Sequence, residues 1–491
     1  MTTAADDRSP AAAPDAEGDL GARKLRLLDV VAQSVGFMGP VFSSAFVIPL
    51  VIGIGSATGQ GGGLASPLSV IIAAVGIFGL GWVISQYAKR IHAAGSLYDY
   101  VTEGLGTRVG AVAGWLYYGG VMVLGAGLAL LIGGFVHDTI RSELGASSIP
   151  DWAWTLLVVV VLSALAYLGV QVSTRFQLTM ALVSLSVLTV FFLYVIVHLG
   201  GANSARAFDP SSAADGWKGI FLGVLYGVLL FVGFETSANL AEETPDPRRQ
   251  IPFAVMFTAA LALGYFVLAT YVEIAGFHFD LKRIAAAAAG PVFALGSPAS
   301  AGGYGAVWLR RLLEVVVTLD MLAVLMGIFV SASRGMFGMA RDRRLPAVLA
   351  RVDRRRGTPV VAIGALSVLC VVFVLLDKAF PGLYALPQTP HYFALFAWGS
   401  TFGAFSMVIV YLLMCVGALR RPQEGGAVLP VASVIGALIT AGALFGSVYK
   451  VTAPTIWAPW LSLIWLGVGI VVTTLTLRNG RRPAAGASPV A

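Results

Sequence analysis

The chain is 491 residues long, 57% apolar and only 12% charged, about half the charge of a typical soluble domain. So few charges cannot cover a water-soluble fold of this size, which excludes a soluble globular protein. The formal net charge of +7 sits in short loops, where membrane topology accounts for it. No basic patch is interleaved with stacking aromatics, so nucleic acid is not an expected partner.

Residues 1–22 are polar and rich in Ala, Pro and Asp. They contain no apolar signal core and are expected to form a disordered cytosolic tail, as is the stretch 479–491. Between them lie about twelve blocks long enough to cross a bilayer, which takes about 20 apolar residues. They are 28–55, 67–87, 110–136, 152–170, 174–199, 217–240, 251–276, 308–336, 358–377, 391–418, 428–449 and 456–477. In lipid the backbone must satisfy its own polar groups, so the blocks are helices, and they are too long for barrel strands. The expected fold class is therefore an all-α integral membrane protein in a lipid bilayer.

Span 1 carries Gly36-Phe37-Met38-Gly39-Pro40, followed by Val41, Ser43 and Ser44. Proline lacks an amide and clashes with the preceding turn, so the helix is expected to break there. Such a break is tolerable in lipid only where the freed backbone lines a cavity or binds something. Span 6 contains Phe231, Gly233, Phe234 and Glu235 in an otherwise apolar run. A carboxylate at that depth costs several kcal/mol, so Glu235 is expected to face a wet cavity or a partner. Two interrupted spans five apart point to an inverted repeat, with 28–199 as the first five-helix unit, 217–418 as the second, and 428–477 supplying helices 11 and 12. The alternative is a pair of packing kinks, because Gly and Pro are common in membrane helices.

The long outer loop, 277–307, holds Ala285 to Ala289 and two Gly/Pro/Ser clusters. It reads as a short helical cap or a loose loop. In span 8, Asp320 and Ser331 return to nearly one helix face, with Val324 and Gly327 between them. Asp320 needs a partner, water or a proton. Glu273 and Glu314 lie near the outer ends of their spans and read as solvated. The basic run from Arg341 to Arg356 reads as a solvated positive-inside signal, or as the partner of Glu242 and Glu243 in an inner gate. Cys370 and Cys415 fall in spans and lack metal-ligand spacing. With both termini cytosolic, most of the 32 Lys and Arg residues fall on the cytosolic side, as the positive-inside rule requires.

Three runs together carry a family likeness. Gly233-Phe234-Glu235 is followed by Ala241-Glu242-Glu243-Thr244-Pro245-Asp246-Pro247-Arg248-Arg249-Gln250-Ile251-Pro252. Ala94-Gly95-Ser96-Leu97-Tyr98-Asp99-Tyr100-Val101 follows span 2. Ser331-Ala332-Ser333-Arg334 precedes Ala340-Arg341-Asp342-Arg343-Arg344-Leu345-Pro346. Over roughly residues 25–480 the chain resembles the amino acid–polyamine–organocation permeases, bacterial amino acid permease type. That resemblance implies the leucine-transporter fold, with a 5+5 inverted repeat and discontinuous helices 1 and 6. It implies alternating access, and a substrate held at Gly36 to Val41 and Phe231 to Glu235, with Phe234 as gate. Free amides of helix 1 would hold a carboxylate and carbonyls would hold an ammonium. This chain departs from the family's usual Gly-Ser-Gly by having Gly39-Pro40-Val41, so one amide donor is missing and Ser43 or Ser44 would substitute. Sodium-coupled relatives use helix 8 hydroxyls, which makes Ser331 and Ser333 the coupling candidates beside Asp320. The lysine that some members carry in helix 5 matches Ser184, so that proton mechanism is unsupported.

The resemblance therefore implies a secondary transporter of the bacterial cytoplasmic membrane, multi-pass with both termini cytosolic. Its substrate is an amino acid or, in the alternative, a polyamine or related amine, with Na+ or H+ as coupling ion. Among other classes, no HExxH pair and no phosphate-cradling GxxxxGK loop occurs. A membrane enzyme or a channel is therefore the less favoured reading, and no cofactor or metal is expected.

Overall fold

The structure is a computed structural model that describes residues 20, 25–54, 60–145, 148–213, 215–287, 290–353, 355–385, 390–420 and 426–479. Most of the two expected tails lies outside these residues. Helices dominate, and no β-strand occurs among the described residues. Helix 1 runs in three pieces, Leu27–Met38, Pro40–Phe46 and Ile48–Ile52. Helix 2 is Ser66–Ala88, helix 3 Thr107–Leu144, helix 4 Asp151–Tyr167 and helix 5 Val170–Leu199. Helix 6 is Gly216–Leu230, continued after a turn by the 3-10 helix Thr236–Glu243. Helices 7 to 10 are Pro247–Ala275, Val307–Arg341, Val360–Ala379 and His391–Leu419. Helices 11 and 12 are Val428–Gly446 and Trp457–Asn479.

Ten described helices are long and apolar enough to cross a membrane, and helices 4 and 6 are shorter apolar ones at two further expected positions. Helix 3 runs beyond its expected end at 136 because His137, Asp138 and Arg141 continue the helix outward as partly exposed polar turns. Helix 1 is largely enclosed, and so is helix 8 from Val316 onward, while its first turns expose Val307, Trp308 and Val315. Helices 5, 9, 11 and 12 instead expose Val190, Val197, Leu375, Leu438, Ile464 and Val471. In water such an apolar exterior would be untenable, and lipid accepts it.

The outer loop after helix 7 folds into Leu281–Ala285 and Pro291–Gly296. The second of these packs against the end of helix 7, where Leu295 abuts Gly276. That cover corrects the reading of Glu273, which is fully buried with neither carboxylate oxygen hydrogen bonded. Glu314 is also buried, with Arg310 Nε 3.1 Å away. The run after helix 2 forms the short helix Leu97–Leu105.

Candidate solute site

Helix 1 breaks where the sequence dictates. Gly39 has φ 57°, a left-handed conformation that glycine adopts without penalty. A Cβ there would also lie 2.2 Å from Val324 Cγ2. In an unbroken helix the amides of residues 40, 41 and 42 would serve the carbonyls of Gly36, Phe37 and Met38. Pro40 has no amide. Val41 and Phe42 instead donate to one oxygen of Asp320, Oδ2, at 2.9 and 2.8 Å. Met38 O receives the Ser43 hydroxyl at 3.3 Å. The carbonyls of Gly36 and Phe37 are thus separated from their helical donors.

Helix 6 breaks opposite. Its last turn tightens through Phe231 N to Val228 O and Val232 N to Leu229 O, at 3.2 and 3.3 Å. Gly233 then takes φ 107°, and a Cβ on it would lie 2.3 Å from Phe37 Cδ1 and 3.0 Å from Met38 N. The two interruptions therefore touch, and only a residue without a side chain fits between them. Two more contacts pin them. Ser237 N donates to Ser34 Oγ at 2.9 Å, and Thr236 Oγ1 donates to Gln33 O at 3.3 Å.

Glu235 is fully buried and fully engaged. Tyr117 and Tyr411 donate their hydroxyls to Oε1 at 2.6 and 2.7 Å, and Gly233 N donates to Oε2 at 3.1 Å. The carboxylate thus ties the turn of helix 6 to helices 3 and 10. Asp320 differs, because its Oδ1 is buried without a hydrogen-bond partner.

The same face of helix 8 continues along helix 1. Gly327 lets Phe37 approach, since a Cβ on it would lie 2.9 Å from Phe37 Cα. Gln33 Nε2 donates to Gly327 O at 3.0 Å, and Gln177 Nε2 donates to Gln33 Oε1 at 3.1 Å. Ser331 donates to Asn239 Oδ1 at 2.9 Å, and Asn239 Nδ2 reaches the Tyr118 hydroxyl at 2.8 Å. Ser333 donates to Val330 O within its own helix, at 3.2 Å.

All of Gly36, Phe37, Met38, Gly39, Pro40, Val41, Ser43, Ser44, Phe231, Gly233, Phe234, Glu235, Asp320, Ser331 and Ser333 are buried, most of them around the two breaks. Two details differ from the expectation. The two helix 1 amides that would meet a substrate carboxylate hold Asp320. The Ser43 and Ser44 hydroxyls are engaged, with Ser44 Oγ 2.9 Å from Pro40 O and 3.1 Å from the Tyr265 hydroxyl. Phe234 packs edge-on to Tyr411, ring centroids 6.5 Å apart. The sequence reading did not select Gln33, Gln177, Tyr117 or Tyr411. An amide side chain in an apolar span is a legible signal for the first two, whereas a mid-span tyrosine carries none.

Both ends of the site are closed. At the end that carries Thr236–Glu243, Glu243 pairs with Arg334 and Glu242 with Arg341, at shortest distances of 2.5 and 2.6 Å. At the opposite end, Phe46 meets Phe135, Phe293 and Phe393, and Phe42 meets Phe396 edge-on at 5.7 Å.

A membrane protein whose first and sixth helices break against each other in its core has the leucine-transporter fold, the architecture of a solute transporter. The family model for amino acid permeases matches residues 37–449, and the chain belongs to that family. An uncharacterized transporter of Mycobacterium tuberculosis is 29% identical over 430 residues, 86% of each chain. The branched-chain amino acid permease of Bacillus subtilis is 24% identical, covering 72% of this chain and 80% of its own length. The manganese transporter of Eremococcus coleocola, crystallised with an aromatic bis-isothiourea compound, superposes with TM-score 0.56 at 13% identity. That match covers 94% of this chain and 98% of the other, and it is a likeness of fold.

Proposed function

We propose that the protein is a secondary active transporter that moves amino acids or related amines across a bacterial cytoplasmic membrane by alternating access. The observation that carries this reading is the direct contact of the two breaks, Gly233 against Phe37 and Met38, in a closed and buried centre. Irregular backbone at that depth is stable only where it is enclosed or lines a solute path. The equivalent positions of the breaks support two inverted five-helix units, 28–199 and 217–418. The buried Arg334–Glu243 pair and the outer aromatic cluster are the closures that would open in turn. The Bacillus relative is a branched-chain amino acid permease, which supports the amino acid class.

Both termini are cytosolic in this reading, as the distribution of Lys and Arg favours. Asp320, Ser331 and Ser333 are the candidates for coupling to Na+ or H+. The two serines spend their hydrogens on protein acceptors, which leaves oxygen lone pairs for a cation. Reconstitution into proteoliposomes tests the reading. Uptake of labelled amino acids and amines should saturate with concentration and exchange against internal unlabelled solute. Linear, non-exchanging flux would indicate a channel and overturn it.

A further inference from the structure

An amino acid brings a carboxylate as well as an ammonium, and at the break of helix 1 the donors that would meet a carboxylate are spent, although the Ser237 hydroxyl across from it on helix 6 has no partner. Pro40 has none to give, and Val41 and Phe42 give theirs to Asp320 at 2.9 and 2.8 Å. The neighbouring hydroxyls of Ser43 and Ser44 already lie on Met38 O and Pro40 O. What remains at that break is a set of acceptors, namely Asp320 Oδ1 and the carbonyls of Gly36 and Phe37. An incoming carboxylate would meet Asp320 as a like charge, and an ammonium would meet it as a partner.

A purely structural cap does not explain Asp320. Capping the two amides takes one oxygen, and Asn or Ser would supply it. Asp320 instead buries a second oxygen with nothing bound to it, and a buried polar atom without a partner is costly. A cationic ligand removes that cost. Glu235 is the poorer seat, because Tyr117, Tyr411 and Gly233 already donate to its oxygens, whereas Asp320 Oδ1 has no partner. Phe42, next to Gly39 and edge-on to Phe396, offers aromatic surface, which favours a cation with an apolar body.

We infer that the solute is an organic amine without a carboxylate, and that the carboxylate of Asp320 occupies the seat a substrate carboxylate would take and acts as the amine's counter-ion. This inference rests on the proposal that the solute sits at the two breaks.

The test uses the full chain purified in detergent. Its thermal unfolding is followed against the standard amino acids and against the amines left when each loses its carboxylate. A ligand of the folded state raises the unfolding temperature once its concentration exceeds its dissociation constant. At least one amine should raise it while its parent amino acid does not. A shift with an amino acid equal to or above that with its amine overturns the inference and leaves the transporter reading intact. No shift with any member of either panel overturns the transporter reading as well. Two variants sharpen the result. Asp320→Asn keeps an oxygen on the two amides and removes the charge, so it should lose about 100-fold or more in apparent affinity for the amine and gain no amino acid response. Asp320→Gly frees the amides and should gain one. Full amine affinity in Asp320→Asn would overturn the inference. If neither variant folds, the paired panel on the unaltered chain decides alone.

Discussion

Arg334 and Glu243 form a buried, two-point ion pair across one end of the candidate site, with Nε to Oε2 at 2.5 Å and Nη2 to Oε1 at 3.1 Å. Both side chains are only 3% exposed. Removing one partner strands the other charge, a change that typically costs about 3–5 kcal/mol. Glu243→Gln should therefore lower the unfolding temperature of the purified protein clearly. Arg334→Met combined with Glu243→Leu should recover most of the loss, because no uncompensated charge remains. A double variant as unstable as the worse single one would show that the pair is not a self-contained unit.

Glu235 accepts from three donors, and its substitutions should rank by how many they strand. In Glu235→Gln the amide oxygen can take Gly233 N, while rotatable tyrosine hydroxyls turn to accept from the new NH2 group. The fold should survive with reduced solute uptake. Glu235→Leu leaves three buried donors unpaired at about 1–3 kcal/mol each and should fail to fold. Tyr117→Phe and Tyr411→Phe should each be mild, since each removes one donor and leaves the carboxylate the other two. Folded yield by size-exclusion profile, set beside uptake per folded molecule, checks the ranking.

Much of this arrangement was readable from residue order alone. Apolar block length located the helices, and Gly39-Pro40 and Gly233 marked both breaks, because backbone chemistry is local. What pairs across the core was not readable. Asp320 was visible as a residue needing a partner, yet its donors Val41 and Phe42 lie 279 and 278 positions away in sequence. Glu242 and Glu243 read first as solvated, with an inner gate as the alternative, and only packing brings Arg334 and Arg341 to them. Glu273 read as solvated because it is close to a helix end. Nothing in its neighbours announces that the short helix Pro291–Gly296 folds over that end.

Gly39 is constrained twice, by its left-handed φ of 57° and by Val324, and the two constraints can be separated. Gly39→Ala should be strongly destabilising, because the left-handed backbone costs an L-residue about 1–2 kcal/mol and the new methyl overlaps Val324 Cγ2. Adding Val324→Ala removes the overlap and should recover part of the loss, with the backbone term remaining. Complete recovery in the double variant would mean that the backbone at Gly39 is free to relax, contrary to a break fixed by Gly39-Pro40.

Stability should also respond to pH through Asp99, in the short helix Leu97–Leu105. Burial pushes its carboxyl up to about 7, and the charges of Asp342 and Glu242 add to this while Arg341 opposes it. Its Oδ2 lies buried without a hydrogen-bond partner. The unfolded chain releases this proton near the ordinary value of 3.8, whereas the folded chain holds it to about 7. Between these values the folded state binds more protons, so stability falls as pH rises. The contribution is fully present below about 3.8 and is lost as pH climbs through about 7. Asp99→Asn keeps the neutral shape at every pH and removes this dependence. The unfolding temperature of the unaltered chain, measured relative to that of Asp99→Asn, should decline from pH 5 and level off above about pH 7. Parallel curves across that range would mean that Asp99 is already ionised in the folded state and that Arg341, rather than burial, sets its charge.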